Sequence, residues 1–375
     1  MRSAILAPAH HQLLLDRARE FADLAYQAAT EADDTRRIDA EVWQAFRQAG
    51  LAQAAFGEAY GGAGLGEPEH QGELCTVLRI LGAADLSIAR LFEGHVNAIS
   101  LVMRYGSKAQ IERLAADVQK GALTGVWGAE DAVGLKRQQR PNGWQLEGRK
   151  ILASGAGFVQ RPLVTLNSSQ GPLLYLLDLE GDGKADLENW RPLGMRATAT
   201  GTVDLTGMMV TSEQQIGAAG DYMTQPFFSG GAWRFCAAQL GACERLTELY
   251  RDQLRARGRG EDPYQLERLA QCAAACGTAL FWVEEAARRF ADDTQHAATT
   301  VAFANLTRMV TERAALDIME RVQRGIGLFG FIQPNPVERI CRDLSTYLRQ
   351  PVPDLAMSDA ARAVLSGQLA IGAFS

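Results

Sequence analysis

The feature that most constrains the fold is a change of hydrophobic period at two places along the 375-residue chain. Up to about residue 121, apolar residues recur every three to four positions, as on helices that bury one face. Residues 122–217 instead contain short runs of partial alternation separated by glycine turns, which is typical of strands. The helical period returns from residue 226 to the end. This order predicts a mainly α-helical chain with a central β domain, divided into domains at 1–121, 122–217 and 226–375.

Local patterns add detail to each part. The N-terminal part has short helices joined by short loops, one of them the glycine-rich stretch EAYGGAGLGEPE, which predicts an antiparallel bundle. In the middle part, Asn142-Gly143 predicts a hairpin and DLEGDGKAD a further turn, so we expect a small barrel or sandwich. The C-terminal part predicts three long helices, which would pack as a four-helix-type bundle with one ending at RDLSTYLRQPVPD.

Composition excludes several classes of function. A net charge of −6 and the absence of long basic runs argue against a nucleic-acid partner. We find no apolar run of the roughly 18 residues that a membrane helix needs, and MRSAILAPAHH lacks the apolar core of a signal peptide, so the expected location is cytoplasmic. The six cysteines and five histidines show no zinc-type spacing and no HExxH motif, and His95 reads as a core histidine. The sequence therefore predicts no metal site.

Five motifs in a fixed order point to one protein family. They are AYGGAGLG at 59–66, GVWGAED at 125–131, GWQLEGRKILASGAG at 143–157, PLGMRATATGTVDLTGMMV at 192–210 and GFIQPNPVERICRD at 330–343. Each is weak alone, but together and in this order the chain resembles the acyl-CoA dehydrogenase family of flavoproteins over nearly its whole length. The resemblance implies an N-terminal helical domain, a middle β-barrel and a C-terminal four-helix bundle.

The resemblance also implies FAD as cofactor and assigns residues to it. Ser154 matches a hydroxyl residue that bonds near flavin N5 in the family, although an ordinary turn serine would look the same. Trp127 and Ala129 lie on the matching strand that enters the β domain, with Ala129 in place of the family's threonine. Leu152 stands where the family has a tryptophan. Ser154, Trp127 and Ala129 are the expected contacts to the flavin ring.

The diphosphate of the cofactor is expected to lie across a subunit interface, which implies a homodimer or homotetramer. Arg257 matches the family's helix-end arginine, and a guanidinium suits phosphate oxygens. Arg324 and Gly327 belong to the matching turn from a neighbouring subunit, with Arg324 in place of the family's glutamine. A helix-end cation favoured by the macrodipole, and a helix C-cap, would explain Arg257 and Gly327 equally simply.

The catalytic base is where the sequence departs most from the family. Pro351 stands at the position of the usual glutamate, and Gly258 at the alternative position used by a few members. Proline cannot accept a proton. Weak replacement candidates are Asp354, which is more simply explained as a helix cap, and Glu261 and Asp262 in the RGRGEDP loop.

Three functions remain open from the sequence. The first is an acyl-CoA dehydrogenase-like oxidoreductase that uses a displaced carboxylate, acts on an acyl thioester of CoA or a carrier protein, and passes electrons to an electron-transfer flavoprotein. The second is a flavin monooxygenase of the same fold, which removes no α-proton and is supplied by a flavin reductase. The third is a non-catalytic scaffold that binds an acyl thioester or a protein. The short segment DAVGLK makes a carrier-protein thioester or a smaller substrate plausible for the first function.

Overall fold

The structure, a computed structural model, describes residues 9–179, 185–349 and 351–372. Its helices, in chain order, are α1 (Ala9–Thr35), α2 (Ala40–Gln48), α3 (Gln71–Ala84), α4 (Leu86–Tyr105), α5 (Lys108–Gln119), α6 (Trp233–Ala256), α7 (Pro263–Ala291), α8 (Ala297–Ile326), α9 (Pro336–Tyr347) and α10 (Pro353–Leu365). Its strands are β1 (Thr124–Trp127), β2 (Lys136–Arg140), β3 (Gly143–Glu147), β4 (Arg149–Ala153), β5 (Arg161–Leu166), β6 (Leu173–Leu176), β7 (Ala185–Asp186), β8 (Gly201–Asp204), β9 (Met209–Val210) and β10 (Gln215–Ile216). The predicted order of helical, β and helical parts is confirmed.

The N-terminal helices begin and end at identifiable residues. Asp39 caps α2 by accepting a hydrogen bond from the Glu41 amide, and Ser107 and Gln110 form a capping box at the start of α5. The helical run after the glycine-rich loop is two helices rather than one. Asp85 ends α3 in an extended conformation, and its carboxylate then caps α4 at the Ile88 amide, which turns the chain between them.

The strands of the middle part are distributed over three small sheets. One has the order β1-β5-β6-β10 and contains a parallel β1/β5 pair, while the other two have the orders β2-β3-β9 and β4-β8-β7. The predicted hairpin is the β2/β3 pair, but Arg140 pairs with Gly143, so the turn residues are Pro141 and Asn142. Proline fits the second position of such a turn and glycine the fourth, which explains the shift by one residue. The turn predicted at Asp182-Gly183 lies outside the described residues.

The C-terminal helices α6, α7 and α8 pack against one another, and α9 and α10 pack against their flanks. Asp262 caps α7 by accepting hydrogen bonds from the amides of Tyr264 and Gln265. Helix α6 also packs along α3, so the two helical parts share one hydrophobic core with the sheets. The domain boundaries at 121/122 and 217/226 stay a prediction. Among the described residues, no helix is both long enough and apolar enough to cross a membrane.

Candidate functional site

The structure assembles a candidate site where the end of β1 meets β4 on one side and α4 and α6 on the other. The strand end is fixed by a buried ion pair. Lys150 on β4 is fully buried, and its Nζ lies 2.5 Å from Oε1 of Glu130 and 3.0 Å from Oγ1 of Thr165. Burial lowers the pKa of Lys150, and Glu130 opposes this shift. The pair therefore holds residues 127–130 against β4 and β5.

The predicted flavin contacts Trp127, Ala129 and Ser154 lie together on this edge. The Trp127 indole donates a hydrogen bond of 2.9 Å to the Ser154 carbonyl, and the Ile151 amide donates one of 3.1 Å to the Ala129 carbonyl. Trp127 is buried and Ser154 half-buried. These bonds fix the strand end and the Ser154 turn relative to each other.

Leu152 is the apolar surface of this edge. Its side chain is 64% exposed, and its backbone has φ +50, a conformation that is uncommon for a leucine. The Ser154 turn continues through Gly155, where an added Cβ would lie 2.9 Å from the Leu91 side chain of α4. The turn therefore needs a glycine there to pack against α4. The exposed, apolar side chain of Leu152 could pack against the face of a flat aromatic ring, and the half-buried Ser154 hydroxyl beside it could hydrogen-bond to the polar edge of that ring.

Behind the strand end lies a set of buried and half-buried polar side chains, here named the α4–α6 polar cluster. It connects to β1 because the Tyr222 hydroxyl lies 3.8 Å from the position that a Cβ on Gly128 would take. The members come from α4, α6, the end of α9 and a short turn before α6; they are Arg90, Glu93, Asn97, Tyr222, Arg234 and Tyr347.

Contacts within the α4–α6 polar cluster neutralise its carboxylate. Arg90 Nη1 lies 2.5 Å from Glu93 Oε2, and Asn97 donates a hydrogen bond to the other Glu93 oxygen. Arg234 in turn donates to the Asn97 carbonyl oxygen at 3.2 Å. The Glu93 side chain is 7% exposed. A buried carboxylate held by an arginine and an amide stabilises the folded arrangement more readily than it accepts a substrate proton.

The pKa values of the cluster residues indicate which of them can donate hydrogen bonds at neutral pH. Burial, together with the nearby Glu93 charge, raises the pKa of Tyr222 to about 12 and that of Tyr347 well above its usual value. Burial lowers the pKa of Arg234 to about 10. At neutral pH the two phenols are therefore protonated and Arg234 is charged. The Tyr347 hydroxyl is buried and has no hydrogen-bond partner among the described residues. It is available as a donor to a bound molecule.

Arg342 and Asp343 lie outside the α4–α6 polar cluster and fix the elements around it. Asp343 is buried and accepts a 2.5 Å hydrogen bond from the Met195 amide. Arg342 Nη2 lies 2.7 Å from Asp33 on α1. An added Cβ on Gly194 would lie 2.2 Å from the Arg342 carbonyl carbon, so this loop requires glycine. These contacts join α1, α9 and the loop before β8, and they position the end of α9 that carries Tyr347.

The structure does not place the three candidate bases in the α4–α6 polar cluster. Asp354 is exposed in the first turn of α10, whose N-cap is Val352, so the expected cap by Asp354 is wrong. Pro353 takes the first helical position instead, where its missing amide hydrogen costs nothing. Glu261 is exposed in the loop before α7. Asp262 caps α7 and pairs with Arg259 at 2.8 Å, which occupies its carboxylate.

The residue that the resemblance places at the base position is tied to the bundle through its backbone. Pro351 is exposed, and its carbonyl accepts a hydrogen bond from Arg308 on α8. The chain then enters α10 through Val352 at φ +41. The turn at residues 351–352 leads directly into α10, so its backbone conformation is fixed by the connection between α9 and α10.

The predicted phosphate contacts lie at the far end of the bundle. Arg257 is the C-cap of α6, and its guanidinium lies 5.5 Å from the centre of the Phe329 ring. Gly327 ends α8 at φ +76. Arg324 is exposed and lies 3.5 Å from Glu320. The two segments that sequence reasoning assigned to a diphosphate are therefore neighbours within one chain.

Comparison with known proteins identifies the family of the two helical parts. Residues 8–122 match the acyl-CoA dehydrogenase N-terminal domain, and residues 233–349 match the acyl-CoA dehydrogenase C-terminal domain. The chain belongs to the acyl-CoA dehydrogenase family. Members of this family are flavin-dependent oxidoreductases and monooxygenases, so a flavin is the cofactor that the family supports.

Relatives of this chain fall into both enzyme groups. A short-chain specific acyl-CoA dehydrogenase of Clostridium acetobutylicum is 23% identical over 362 residues, covering 88% of this chain and 91% of the relative. A dibenzothiophene monooxygenase of Rhodococcus erythropolis is 24% identical over 398 residues, covering 96% and 94%. Among solved structures, FMN-bound TdsC from Paenibacillus sp. A11-2 superposes with a TM-score of 0.84 at 20% identity, covering 94% and 97%. The fold is shared, and the reaction must be argued from the site.

Sequence reasoning missed the α4–α6 polar cluster. Its members are scattered from residue 90 to residue 347, and no two of them form a known motif. The available signal was weak: Arg90, Glu93 and Asn97 share one face of α4 at spacings of three and four residues. Such a polar stripe within an apolar helix indicates a buried polar site.

Proposed function

We propose that this chain is a flavin-dependent monooxygenase that inserts an oxygen atom into a small organic substrate and receives its reducing equivalents from a separate flavin reductase. The observation that carries this proposal is Pro351 at the family's base position, with its carbonyl bonded to Arg308. An acyl-CoA dehydrogenase needs a carboxylate there to remove the α-proton. A monooxygenase of this fold removes no such proton and loses nothing by the replacement.

The flavin ring would be held at the β1/β4 edge. Leu152 offers an apolar surface to the ring, and the Ser154 hydroxyl and the backbone near Ala129 offer hydrogen bonds to its polar edge. When bound and reduced, a flavin supplies the chemistry that activates molecular oxygen. The protein's own task is then to orient the substrate, exclude water and supply protons. The buried Tyr222 and Tyr347 hydroxyls are protonated donors suited to that task.

The substrate would lie between the flavin edge and the α4–α6 polar cluster. Arg234 and Asn97 can orient a polar group, while Glu93, neutralised by Arg90, completes a fixed network. A monooxygenase transfers one oxygen atom to its substrate and must protonate the other, so it needs hydrogen-bond and proton donors. A dehydrogenase needs a free base to remove the α-proton. The lining offers donors, which favours the monooxygenase. The proposal does not fix the substrate beyond a small organic molecule with at least one hydrogen-bond acceptor.

We favour FMN over the FAD expected from the sequence. Arg324 and Leu328 replace two residues of the family's diphosphate turn, and Gly260 replaces the aromatic residue expected beside Arg257. A cofactor that ends in one phosphate needs only part of these contacts. Relatives support this choice, since TdsC is described as FMN-bound.

We also propose a homo-oligomer. Leu328, Phe329, Phe331 and Ile332 are between 47% and 73% exposed at the turn after α8, which is the apolar area expected of a subunit contact. The same turn carries Arg324 and Gly327, so a neighbouring copy could bring it to the flavin phosphate. Sedimentation of the purified protein tests this, and a monomer at micromolar concentration would exclude a shared cofactor site.

A second candidate, an acyl-thioester dehydrogenase, is favoured by one observation. Glu93 is a buried carboxylate near the strand end, and it could act as base if substrate binding released it from Arg90. One anaerobic titration separates the two functions. A dehydrogenase loses its flavin absorbance on addition of butyryl-CoA or octanoyl-CoA, whereas the proposed monooxygenase keeps it.

The deciding experiment uses the flavin-loaded protein under air. We expect that flavin reduced by a reductase and NADH is reoxidised with a delay in the presence of this protein, and that Tyr222→Phe changes the delay while Asp354→Ala does not. Bleaching of the flavin by an acyl-CoA would refute the monooxygenase. A purified protein that takes up neither FMN nor FAD would refute both enzymes and leave the non-catalytic scaffold.

A further inference from the structure

A group of three side chains outside the flavin site has the composition of a metal site. His11 lies in the first turns of α1, His70 immediately before α3, and Glu73 in the first turn of α3. One possible ligand atom from each of the three lies within 4.8 Å of the others. His11 is far in the sequence from His70 and Glu73, which is why motif spacing did not reveal the group.

The tautomer of His11 follows from its surroundings. Its side chain is fully buried, and Nε2 lies 2.8 Å from the Ala63 carbonyl oxygen. A carbonyl can only accept, so Nε2 carries a hydrogen, and the neutral tautomer that this bond selects has its lone pair at Nδ1. Nδ1 is buried and has no hydrogen-bond partner among the described residues. A buried polar atom without a partner is costly, and it calls for a ligand.

This arrangement matches what metal-binding histidines need. Such histidines almost always donate their second ring nitrogen to a carbonyl or carboxylate, which fixes the ring and makes the other nitrogen a better ligand. The Ala63 carbonyl supplies that contact here. Ala63 lies in the glycine-rich loop between α2 and α3, whereas the other two ligands lie at the start of α3, so a bound ion would tie α1 to α3.

The distances require only small adjustments. The Glu73 carboxylate oxygens lie 3.9 Å from His11 Nδ1 and 4.0 Å from His70 Nδ1. Bonds of about 2.0–2.2 Å around a tetrahedral zinc ion place neighbouring ligand atoms roughly 3.3–3.5 Å apart. Rotation of the half-buried His70 and Glu73 side chains can close the gap, and their partial exposure leaves a path for the ion from solvent.

The local charge also favours a cation. Glu67 approaches His70 from the loop side, since the Glu67 carboxylate and the His70 ring both lie within 3 Å of the position that a Cβ on Gly64 would take. Glu58 lies 3.6 Å from His10 at the rim. Carboxylates on two sides offset the positive end of the α3 dipole.

We propose that His11, His70 and Glu73 form a binding site for one zinc ion, with water as the fourth ligand. Two imidazoles and one carboxylate suit zinc better than magnesium or calcium, which prefer oxygen ligands. The ion would be structural: it would fasten the start of α1 to the start of α3. This site is separate from the flavin chemistry and does not depend on the proposed function.

The test is a titration of the full-length, metal-free protein with Zn²⁺ by calorimetry and with Co²⁺ by visible absorbance. We expect one equivalent to bind to the wild type and to the control His10→Ala, and affinity to fall at least ~100-fold in His70→Ala and in Glu73→Gln. Binding should also weaken below about pH 6.5, where histidine becomes protonated. Addition of Zn²⁺ should raise the unfolding temperature of wild type and control.

Two results would overturn the proposal. One is the absence of Zn²⁺ and Co²⁺ binding by a wild-type protein whose circular dichroism shows it folded. The other is equal binding by wild type and His70→Ala, which would place the ion elsewhere. Because His70 and Glu73 are partly exposed, their variants should fold, and circular dichroism of each variant checks this independently.

Discussion

The close crossing of α3 and α6 depends on two glycines, and alanine at either position should destabilise the protein. A Cβ added to Gly82 would lie 2.0 Å from the Ala238 carbonyl oxygen of α6. A Cβ added to Gly241 would lie 2.0 Å from the Arg79 carbonyl oxygen of α3. Ordinary contact begins at 3.4 Å, so each substitution requires about 1.4 Å of separation between two backbones, and neither can rotate away.

The magnitude combines two opposing contributions. Forcing extra atoms into a packed interface costs about 1–3 kcal/mol and occasionally more, while replacing glycine by alanine inside a helix contributes about 0.8–1 kcal/mol of stability. A 1.4 Å movement of backbone against backbone belongs at the upper end of the cost. We therefore expect Gly82→Ala and Gly241→Ala each to lower the free energy of unfolding by about 2 kcal/mol.

A matched control separates packing from helix propensity. Gly277 also lies inside a long helix, α7, but a Cβ there would meet nothing within 4 Å. Gly277→Ala should raise the free energy of unfolding by about 0.5–1 kcal/mol. Urea denaturation followed by circular dichroism at 222 nm measures all three variants, and a shift of the midpoint at constant slope reports stability.

The double variant Gly82→Ala/Gly241→Ala tests the mechanism itself. If the first alanine has already separated the helices, the second meets less resistance, and the double variant should be at least about 1 kcal/mol more stable than the sum of the single effects predicts. Additive effects would mean that the two sites relax independently. A Gly82→Ala protein as stable as Gly277→Ala would refute the reasoning altogether.

Three further predictions follow from contacts of the described residues. Burial raises the pKa of four cysteine thiols to about 12; they are Cys75, Cys236, Cys272 and Cys341. Folded protein at pH 8 should therefore react slowly with Ellman's reagent, and all six thiols should react only in denaturant. Rapid reaction of four or more thiols in the folded protein would contradict this. Asp262→Ala removes the cap of α7 and should cost about 1 kcal/mol in urea denaturation, whereas the neighbouring Glu261→Ala should have little effect; equal effects would show that the cap is not the cause. Asp343→Ala leaves the Met195 amide without its buried acceptor and Arg339 with Asp85 as its remaining buried carboxylate, so it should cost about 1–3 kcal/mol. Asp359→Ala, in an exposed pair, should cost less than about 1 kcal/mol, and an effect of Asp343→Ala no larger than that would contradict a buried anchoring role.

The sequence predicted those parts of the fold that depend on neighbouring residues. The 3.6-residue period located α7 and α8 closely, and the strand alternation located the β2/β3 pair. The errors have local physical reasons as well. Asp85 can cap a helix from an extended conformation, so one apolar run became two helices, and Pro353 displaced Asp354 from the cap of α10.

The candidate site could be predicted only where a motif carried it. Ser154, Trp127 and Ala129 were identified through the resemblance, and the structure places them together. The sequence did not assign Arg90 and Tyr347 to one site, because the contacts that bring them together involve segments far apart in the chain. The His11–Glu73 contact has the same character: nothing in the spacing of two residues on different helices indicates that their ring and carboxylate face each other.

Comparison of Pro351 with Arg342 and Asp343 shows which features the chain has retained. Arg342 and Asp343 join α1, α9 and the loop before β8 through buried contacts, so their loss would unfold the junction. Pro351 is exposed and is tied to the fold through its backbone carbonyl, which accepts a hydrogen bond from Arg308. Arg342 and Asp343, which position the end of α9, are present, whereas the position that the resemblance assigns to the base carries proline. A buried anchor such as Asp343 is costly to lose, so any member that keeps the fold keeps it, whereas an exposed carboxylate can be replaced at little cost to stability. The anchors therefore show that the fold is maintained, and flavin uptake decides between a changed reaction and the non-catalytic scaffold.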